Sequence, residues 1–424
     1  MHRFEFKGRE LYCEDVPVSK IAREAGTPFY LYSVRTFLDH YLKLKDAFKS
    51  VKPLICFSMK ANSNLTILKS LVEHGSGLDI VSGGELFRAK KVGVDSQKIV
   101  FASVGKTEKE IEDAIRSKIL MFNVESIPEL ETINTVACRL HAVQKVAIRL
   151  NPDVSPDTHD YITTGTKQNK FGIDTGTANK LFMESYRYPF IRFAGVHIHI
   201  GSQITDSKPF VKAIKRVLQF IDSVRFCGNP VEYLNIGGGL AIIYSKEKPQ
   251  TAREFARVVL PLFKDYDLKK GMKLVLEPGR FISGNSGILV TKILYKKVNP
   301  TKTFMIVDAA MNDLIRPSFY GAYHEITPVV RPSGKVRTAE VDIVGPICES
   351  GDFLAKNRKM PAANIGDLLA VMSCGAYGYV MSSNYNSRPR VPEVVVKGRK
   401  FFVAKKRESY EDLVRNEKIV KEVI

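Results

Sequence analysis

The stretch LICFSMKANSNLTILKSLVEHGSGLDIVS, residues 54–82, decides how the chain folds. It holds a short β-rich run, LICFSMK, then a small polar turn, then NLTILKSLVEHG, whose apolar residues recur at helical spacing and which closes on glycine, then a second β-rich run, GLDIVS. A strand, a helix and a further strand in this order form one βαβ unit, and the two strands are apolar on both faces, as parallel strands covered on each side must be. Lys60 ends the first run. A lysine at a strand end is either a strand reaching water or an amine partly stripped of water and able to form an imine with a carbonyl compound.

Outward from this unit the pattern repeats. The β-rich runs are 54–60, 77–82, 98–103, 119–126, 145–152, 193–201, 231–239 and 272–279, with amphipathic segments such as GELFRAKKVG and KPFVKAIKRVLQFIDSVRFCG between them. Eight strand–helix units predict a parallel (β/α)8 TIM barrel over residues 35–282 rather than an open doubly wound sheet. From about 283 the texture changes to ILVTKILYKKV, TFMIVD, AEVDIVGP and VPEVVVKGRKFFVAKKR without helical interleaving, which predicts a mainly antiparallel β domain. Residues 1–34 contain the strand-like pieces FEFKGRELYCE and TPFYLYS, which are expected to join that later sheet. The β domain, 1–34 and 283–424, is then discontinuous in sequence.

Composition sets the class. Of 424 residues 44% are apolar and 26% charged, enough for large cores. No apolar run has the length of a membrane span and the N-terminus lacks a secretory apolar block, so the expected location is cytoplasmic, with no membrane partner. Six cysteines, at 13, 56, 138, 227, 348 and 374, show no metal-ligand spacing; reduced thiols and no metal are expected. Lys and Arg number 64 against 45 Asp and Glu, a formal charge of +19. Because the bases are dispersed in mixed-charge helices such as KTEKEIEDAIRSK, they read as a solvated exterior, and no nucleic-acid partner is expected.

In a parallel barrel the functional groups collect at the C-terminal strand ends. Those ends carry Lys60, Asp79 with Ser82–Glu85, Arg149 near Asn151, His199 with Gly201 and Ser202, Gly237–Gly239, and Glu277 with Gly279 and Arg280. Gly237–Gly239 allow backbone N–H groups close approach to an anion, with the following helix N-terminus expected to add its dipole, and Ser202 and Arg280 add donors. A phosphate site beside an imine-forming lysine points to pyridoxal 5′-phosphate, with Glu277 at the ring nitrogen and His199 against the ring face.

FSMKANSN, DIVSGGE, HIHIGSQI, NIGGGL, EPGRFI, VDAAMNDLIRPSFY, GPICESGD and GAYGYVMSSNYNSRP together resemble the diaminopimelate decarboxylases, within the fold-type III group that includes alanine racemases. The resemblance runs over nearly the whole chain. It implies decarboxylation of meso-2,6-diaminopimelate to L-lysine, the last step of lysine biosynthesis, in a homodimer with active sites shared across the interface. It implies that Lys60 holds the cofactor covalently, that His199 stacks on it, and that Glu277 pairs with its nitrogen. Ser202, Gly239, Gly279 and Arg280 are implied around the phosphate, with Arg280 also near substrate, and Tyr377 beside both cofactor and substrate. Arg316 and Tyr320 are implied at the distal carboxylate. Cys348, as proton donor to the carbanion, and Glu349, at the distal ammonium, are implied to come from the partner subunit. Arginine forks suit a carboxylate and Glu349 suits an ammonium, a pairing that ornithine, with no distal carboxylate, would not need. Ser58-Met59 and Ala310 depart from the usual spelling and are expected to touch packing near the site rather than any group with a chemical role, bearing on rate and pocket shape more than on the type of reaction.

Overall fold

The computed structural model describes residues 2–154, 170–226, 228–266, 268, 271–334 and 337–421; Cys227 lies outside them. The chain divides into two compact units: Leu38–Ile243 with Glu247–Ile282, and Met1–Phe37 with Tyr244–Lys246 and Ser283–Ile424.

The first unit is a closed barrel of eight parallel strands, β1 (Leu54–Ser58), β2 (Gly77–Ile80), β3 (Ile99–Phe101), β4 (Met121–Val124), β5 (Gln144–Arg149), β6 (Ile191–His197), β7 (Tyr233–Asn235) and β8 (Lys273–Leu276). All eight runs expected from the sequence form strands. Closure occurs where β8 pairs with β1, Val275 opposite Leu54 and Leu276 opposite Ile55. The strands are apolar on both faces because one face packs on helices and the other fills the barrel; all five residues of β1 and all four of β4 are buried. Cys56, Val100, Met121, Ala147 and Val275 form one cluster. They come from β1, β3, β4, β5 and β8, which can meet only across the barrel interior.

The turn after β1 is a helix start in disguise. Asn64 caps the helix Leu65–Glu73, its Oδ1 accepting from the N–H of Thr66 at 3.0 Å, and Ile67, Leu68 and Leu71 turn inward. Such a cap contributes about 1 kcal/mol. It fixes the path of the chain immediately after Lys60. Several expected runs extend past the observed strands at their C-terminal ends, so Lys60, Ser82, His199 and Gly237 lie in the loops of the barrel mouth.

In the second unit TPFYLYS does join the later sheet: Phe29–Ser33 pairs antiparallel with Gly287–Val298, Phe29 opposite Val290, and parallel with Glu393–Lys397. FEFKGRELYCE does not enter that sheet as a strand. It forms its own hairpin, Phe4 opposite Cys13, within a separate three-stranded sheet, because the two-residue Gly8-Arg9 turn between the paired Lys7 and Glu10 brings its halves against each other. Leu11 N–H still donates to Val329 O at 2.8 Å. Of the large sheet's pairings two are parallel, the one just given and Thr303–Val307 with Thr338–Val344, and the rest are antiparallel. Its core gathers Phe4, Leu11, Ile21, Phe29, Leu31, Ile288, Val290 and Val394. Among the described residues no helix is long and apolar enough to cross a membrane, and the five described cysteines are free thiols.

Candidate active site

Lys60 sits in the single turn Met59–Ala61 after β1, between two buried neighbours. Its side chain is 38% exposed, and its Nζ lies 3.3 Å from Oδ2 of the fully buried Asp79 at the end of β2. Ser58 Oγ is 2.6 Å from the same oxygen and 3.0 Å from the Glu277 carbonyl. The expectation that Ser58 touches no group with a chemical role is therefore corrected: its hydroxyl has a carboxylate to bond. Ala310, the other departure, is fully buried.

Glu277 follows β8 and is buried. Its Oε1 accepts from Asn123 Nδ2 at 2.8 Å and Asn235 Nδ2 at 2.6 Å, and its Oε2 lies 3.3 Å from His197 Nε2. Burial alone would raise its pKa, but His197, Lys60 and the Asn235 hydrogen bond together hold the carboxyl well below the usual range. It is a fixed negative charge. Asn123, Asn235 and His197 escaped the sequence reading. Their signal was a polar residue inside an apolar strand, which must find a buried partner.

His197 is the last residue of β6, and His199 follows it in the loop of the barrel mouth. Burial first, then the charges of Arg149 and Lys60, push His199 well below its ordinary pKa. Its Nδ1 accepts from Gly238 N–H at 3.3 Å. The ring is a neutral, flat imidazole. A histidine whose pKa is lower folded than unfolded leaves stability untouched above pH ~6.5 and costs up to about 1.4 kcal/mol per unit as pH falls below that value. His199→Asn should therefore lose less stability than the unsubstituted chain when urea midpoints are compared at about pH 7.5 and about pH 5.5. Equal losses would mean that His199 can charge in the folded state.

Gly237–Gly239 line the mouth beside Glu277. A Cβ on Gly238 would stand 2.1 Å from Glu277 O, and one on Gly239, whose φ is +110°, 2.5 Å from Gly201 O, so neither position admits a side chain. Gly237 N–H donates to Asn235 Oδ1 at 2.9 Å. The expected helix dipole is absent here, a correction. The glycines lead into a loop through Pro249, and the next helix, Ala252–Val259, begins only after the Thr251 cap. Arg280, buried directly after Gly279, reaches Ser202 Oγ with Nε at 3.2 Å and Nη2 at 3.1 Å. Lys60, His199, Ser202, Gly239, Glu277, Gly279 and Arg280 thus share one end of the barrel.

Arg316, Tyr320, Cys348, Glu349 and Tyr377 lie in the other unit. Arg316 opens the short helix Arg316–Tyr320, with Pro317 in its first turn where no N–H is needed. It is buried, and its Nη1 donates to Tyr244 OH at 2.7 Å while its guanidinium lies 4.9 Å from that ring. Tyr244 was not anticipated. It is an aromatic residue in a polar loop remote in sequence, and only the fold joins them. Cys348 and Glu349 are exposed; Cys348 N–H donates to Asn386 Oδ1 at 2.8 Å, and Tyr385 OH is 3.4 Å from Glu349 Oε2. Tyr377 has φ +55°, a conformation that a bulky side chain rarely takes.

These groups fit pyridoxal 5′-phosphate. The locked Glu277 anion can keep a pyridine nitrogen protonated, the neutral His199 can lie on a ring, and Gly239, with no side chain, allows an anion close to its backbone at the barrel end that holds Ser202 and Arg280. The comparisons agree. Residues 34–284 match the family model described as pyridoxal-dependent decarboxylase, pyridoxal binding domain. The chain is 46% identical over 410 residues to the diaminopimelate decarboxylase of Aquifex aeolicus, covering 97% of this chain and 96% of that one. It is 44% identical to that of Vibrio cholerae, covering 97% and 98%. The crystal structure of the Helicobacter pylori diaminopimelate decarboxylase complexed with L-lysine superposes with a TM-score of 0.90 at 40% identity, covering 96% of this chain and 100% of that one. The chain belongs to the pyridoxal-dependent decarboxylases of fold type III, in the diaminopimelate decarboxylase family.

Proposed function

We propose that this chain decarboxylates meso-2,6-diaminopimelate to L-lysine and CO2, the last step of lysine biosynthesis. The observation that carries the reading is the Glu277 carboxylate, held ionised by Asn123, Asn235 and His197 at the barrel end where Lys60 emerges. When bound, pyridoxal 5′-phosphate supplies a conjugated cationic ring able to take up the electron pair left behind by departing CO2. Lys60 would hold its aldehyde carbon, Glu277 its ring N–H and His199 its face. Ser202, Gly239, Gly279 and Arg280 would hold its phosphate. Gly237 and Gly238 donate their N–H groups within the protein, so Gly239 is the member of the run that would meet the anion.

Arg280, Arg316 and Tyr320 hold the substrate's distal carboxylate, Glu349 its distal ammonium, and Tyr377 borders both substrate and cofactor. Cys348 Sγ delivers the proton to Cα after CO2 leaves. Cys348 and Glu349 reach the site of a second copy in a homodimer; their exposure on the single chain supports this assignment.

The test incubates the protein and cofactor with meso-diaminopimelate, ornithine or lysine in parallel and follows CO2. Release from the first alone is expected, and comparable release from ornithine would defeat the substrate assignment. Because Tyr244 holds Arg316 through one nitrogen, the rest of the planar fork is available to a carboxylate, and lysine cannot reproduce that geometry. Arg316→Lys should raise KM for meso-diaminopimelate about 10- to 100-fold with a smaller change in kcat, read from steady-state kinetics.

A further inference from the structure

Ser58 has one hydroxyl proton and two neighbouring acceptors, Asp79 Oδ2 at 2.6 Å and the Glu277 carbonyl at 3.0 Å. When the hydroxyl donates to Asp79 Oδ2, the contact needs no proton from the carboxyl and favours its ionised form. When it donates to the carbonyl, the short contact with Asp79 is a hydrogen bond only if Asp79 brings a proton of its own. Ser58 thus suits both protonation states of Asp79 without moving a heavy atom. Asp79 is fully buried and its Oδ1 has no hydrogen-bond partner among the described residues, an arrangement that penalises the anion more than the acid. The groups that face it are Lys60 beyond β1, Cys56 within β1, Glu277 beyond β8, and Glu85 in the helix after β2. Burial, then the negative charge of Glu277, push Asp79 up to about 6 against the pull of Lys60 and its hydrogen bonds.

We propose that Asp79, seated by the Ser58 hydroxyl, is the proton store of Lys60. Lys60–NH3+ and Asp79–COO− become Lys60–NH2 and Asp79–COOH: one N–H bond breaks, one O–H bond forms, and the pair is neutral overall before and after. The 3.3 Å contact gives the proton a direct path. Burial favours the uncharged pair, and the freed lone pair is what an amine needs to attack a carbonyl carbon. Once Lys60 is neutral, the attraction that kept Asp79 ionised is gone, so the carboxyl retains the proton until Lys60 is displaced and takes it back. The inference rests on the reading that Lys60 carries the cofactor. Asp79 acts through Lys60 and is a positioning residue.

Calorimetric titration of the cofactor-free protein with pyridoxal 5′-phosphate, in two buffers of different ionisation heat, counts the protons exchanged. At a pH well above the Asp79 value, Asp79→Asn is expected to release about one proton more per cofactor bound than the unsubstituted chain. Glu85→Gln removes the neighbouring carboxyl, itself pushed up by burial to about 7, and should change the count by much less. Equal release by Asp79→Asn and the unsubstituted chain overturns the proposal, as does an extra proton that follows Glu85→Gln instead. Should Asp79→Asn fail to fold, the infrared difference spectrum of the unsubstituted chain with and without cofactor decides. A new protonated-carboxyl band that shifts in heavy water supports the store, and its absence overturns it. Failure of borohydride to trap the cofactor on Lys60 refutes the underlying reading and the store with it, whereas capture on Lys60 with an unaltered proton count refutes the store alone.

Discussion

Lys60→Ala is expected to lower CO2 release from meso-diaminopimelate by at least about 10⁴-fold and to abolish the visible absorption of the covalently held cofactor. The size follows from chemistry that no neighbour can supply. The amine projects from a single turn at the barrel mouth, flanked by buried Met59 and Ala61, so another lysine cannot be moved into its place without rebuilding the turn. If Lys60 were only a solvated strand end, its replacement would change stability by less than about 0.5 kcal/mol and leave turnover alone. Lys60→Arg separates charge from bonding, because the guanidinium keeps the positive charge beside Asp79 but does not form the bond. It should be as inactive as Lys60→Ala. Borohydride reduction followed by peptide mapping should place the label at residue 60 in the unsubstituted chain and nowhere in either variant. A label elsewhere would remove the basis of the proposed site.

The barrel was legible because its code is local. LICFS, GLDI, IVF and MFNV are short apolar runs, and the helices between them carry their own caps and inward residues, so each βα unit declares itself without its neighbours. The second unit was less legible. Where Phe29–Ser33 inserts depends on pairing with partners more than 250 residues away, and the N-terminal hairpin, with its short Gly8-containing turn, pairs its two halves with each other and meets the later segment through an isolated bridge at Glu10 and Val330. At the site, the residues with conspicuous chemistry were found at strand ends, whereas those that tune them were not. Asn123 lies within β4 while Asn235 and His197 end β7 and β6, and their common target, Glu277, is apparent only once β4, β6, β7 and β8 are closed around it. Tyr244 meets Arg316 across 72 positions by a contact that no periodicity encodes. Ser58 was readable as unusual but not as a bonding group, since its acceptor comes from the neighbouring strand.

Cys348→Ala should slow turnover by about 10²- to 10⁴-fold, the range of a lost general acid, while cofactor absorption and borohydride labelling at Lys60 stay unchanged. The thiol lies in the loop between strands Thr338–Val344 and Phe353–Pro361, held by the Asn386 contact to its own backbone N–H. Alanine keeps that N–H, so the loss isolates the sulfur. The sharper consequence concerns which copy supplies it. In a two-fold dimer whose sites each take Lys60 from one chain and Cys348 from the other, a mixed dimer of Lys60→Ala and Cys348→Ala chains has one doubly damaged site and one intact site. Equal amounts, dissociated and reassociated at random, give about half mixed dimers and hence about a quarter of the unsubstituted activity from two nearly inactive preparations. If Cys348 serves Lys60 of its own chain, every site in the mixture remains damaged and nothing is regained. A mixture that stays silent while the dimers demonstrably exchange would therefore withdraw Cys348 and Glu349 from the shared site, and would leave the assignments of Lys60, His199 and Glu277 standing.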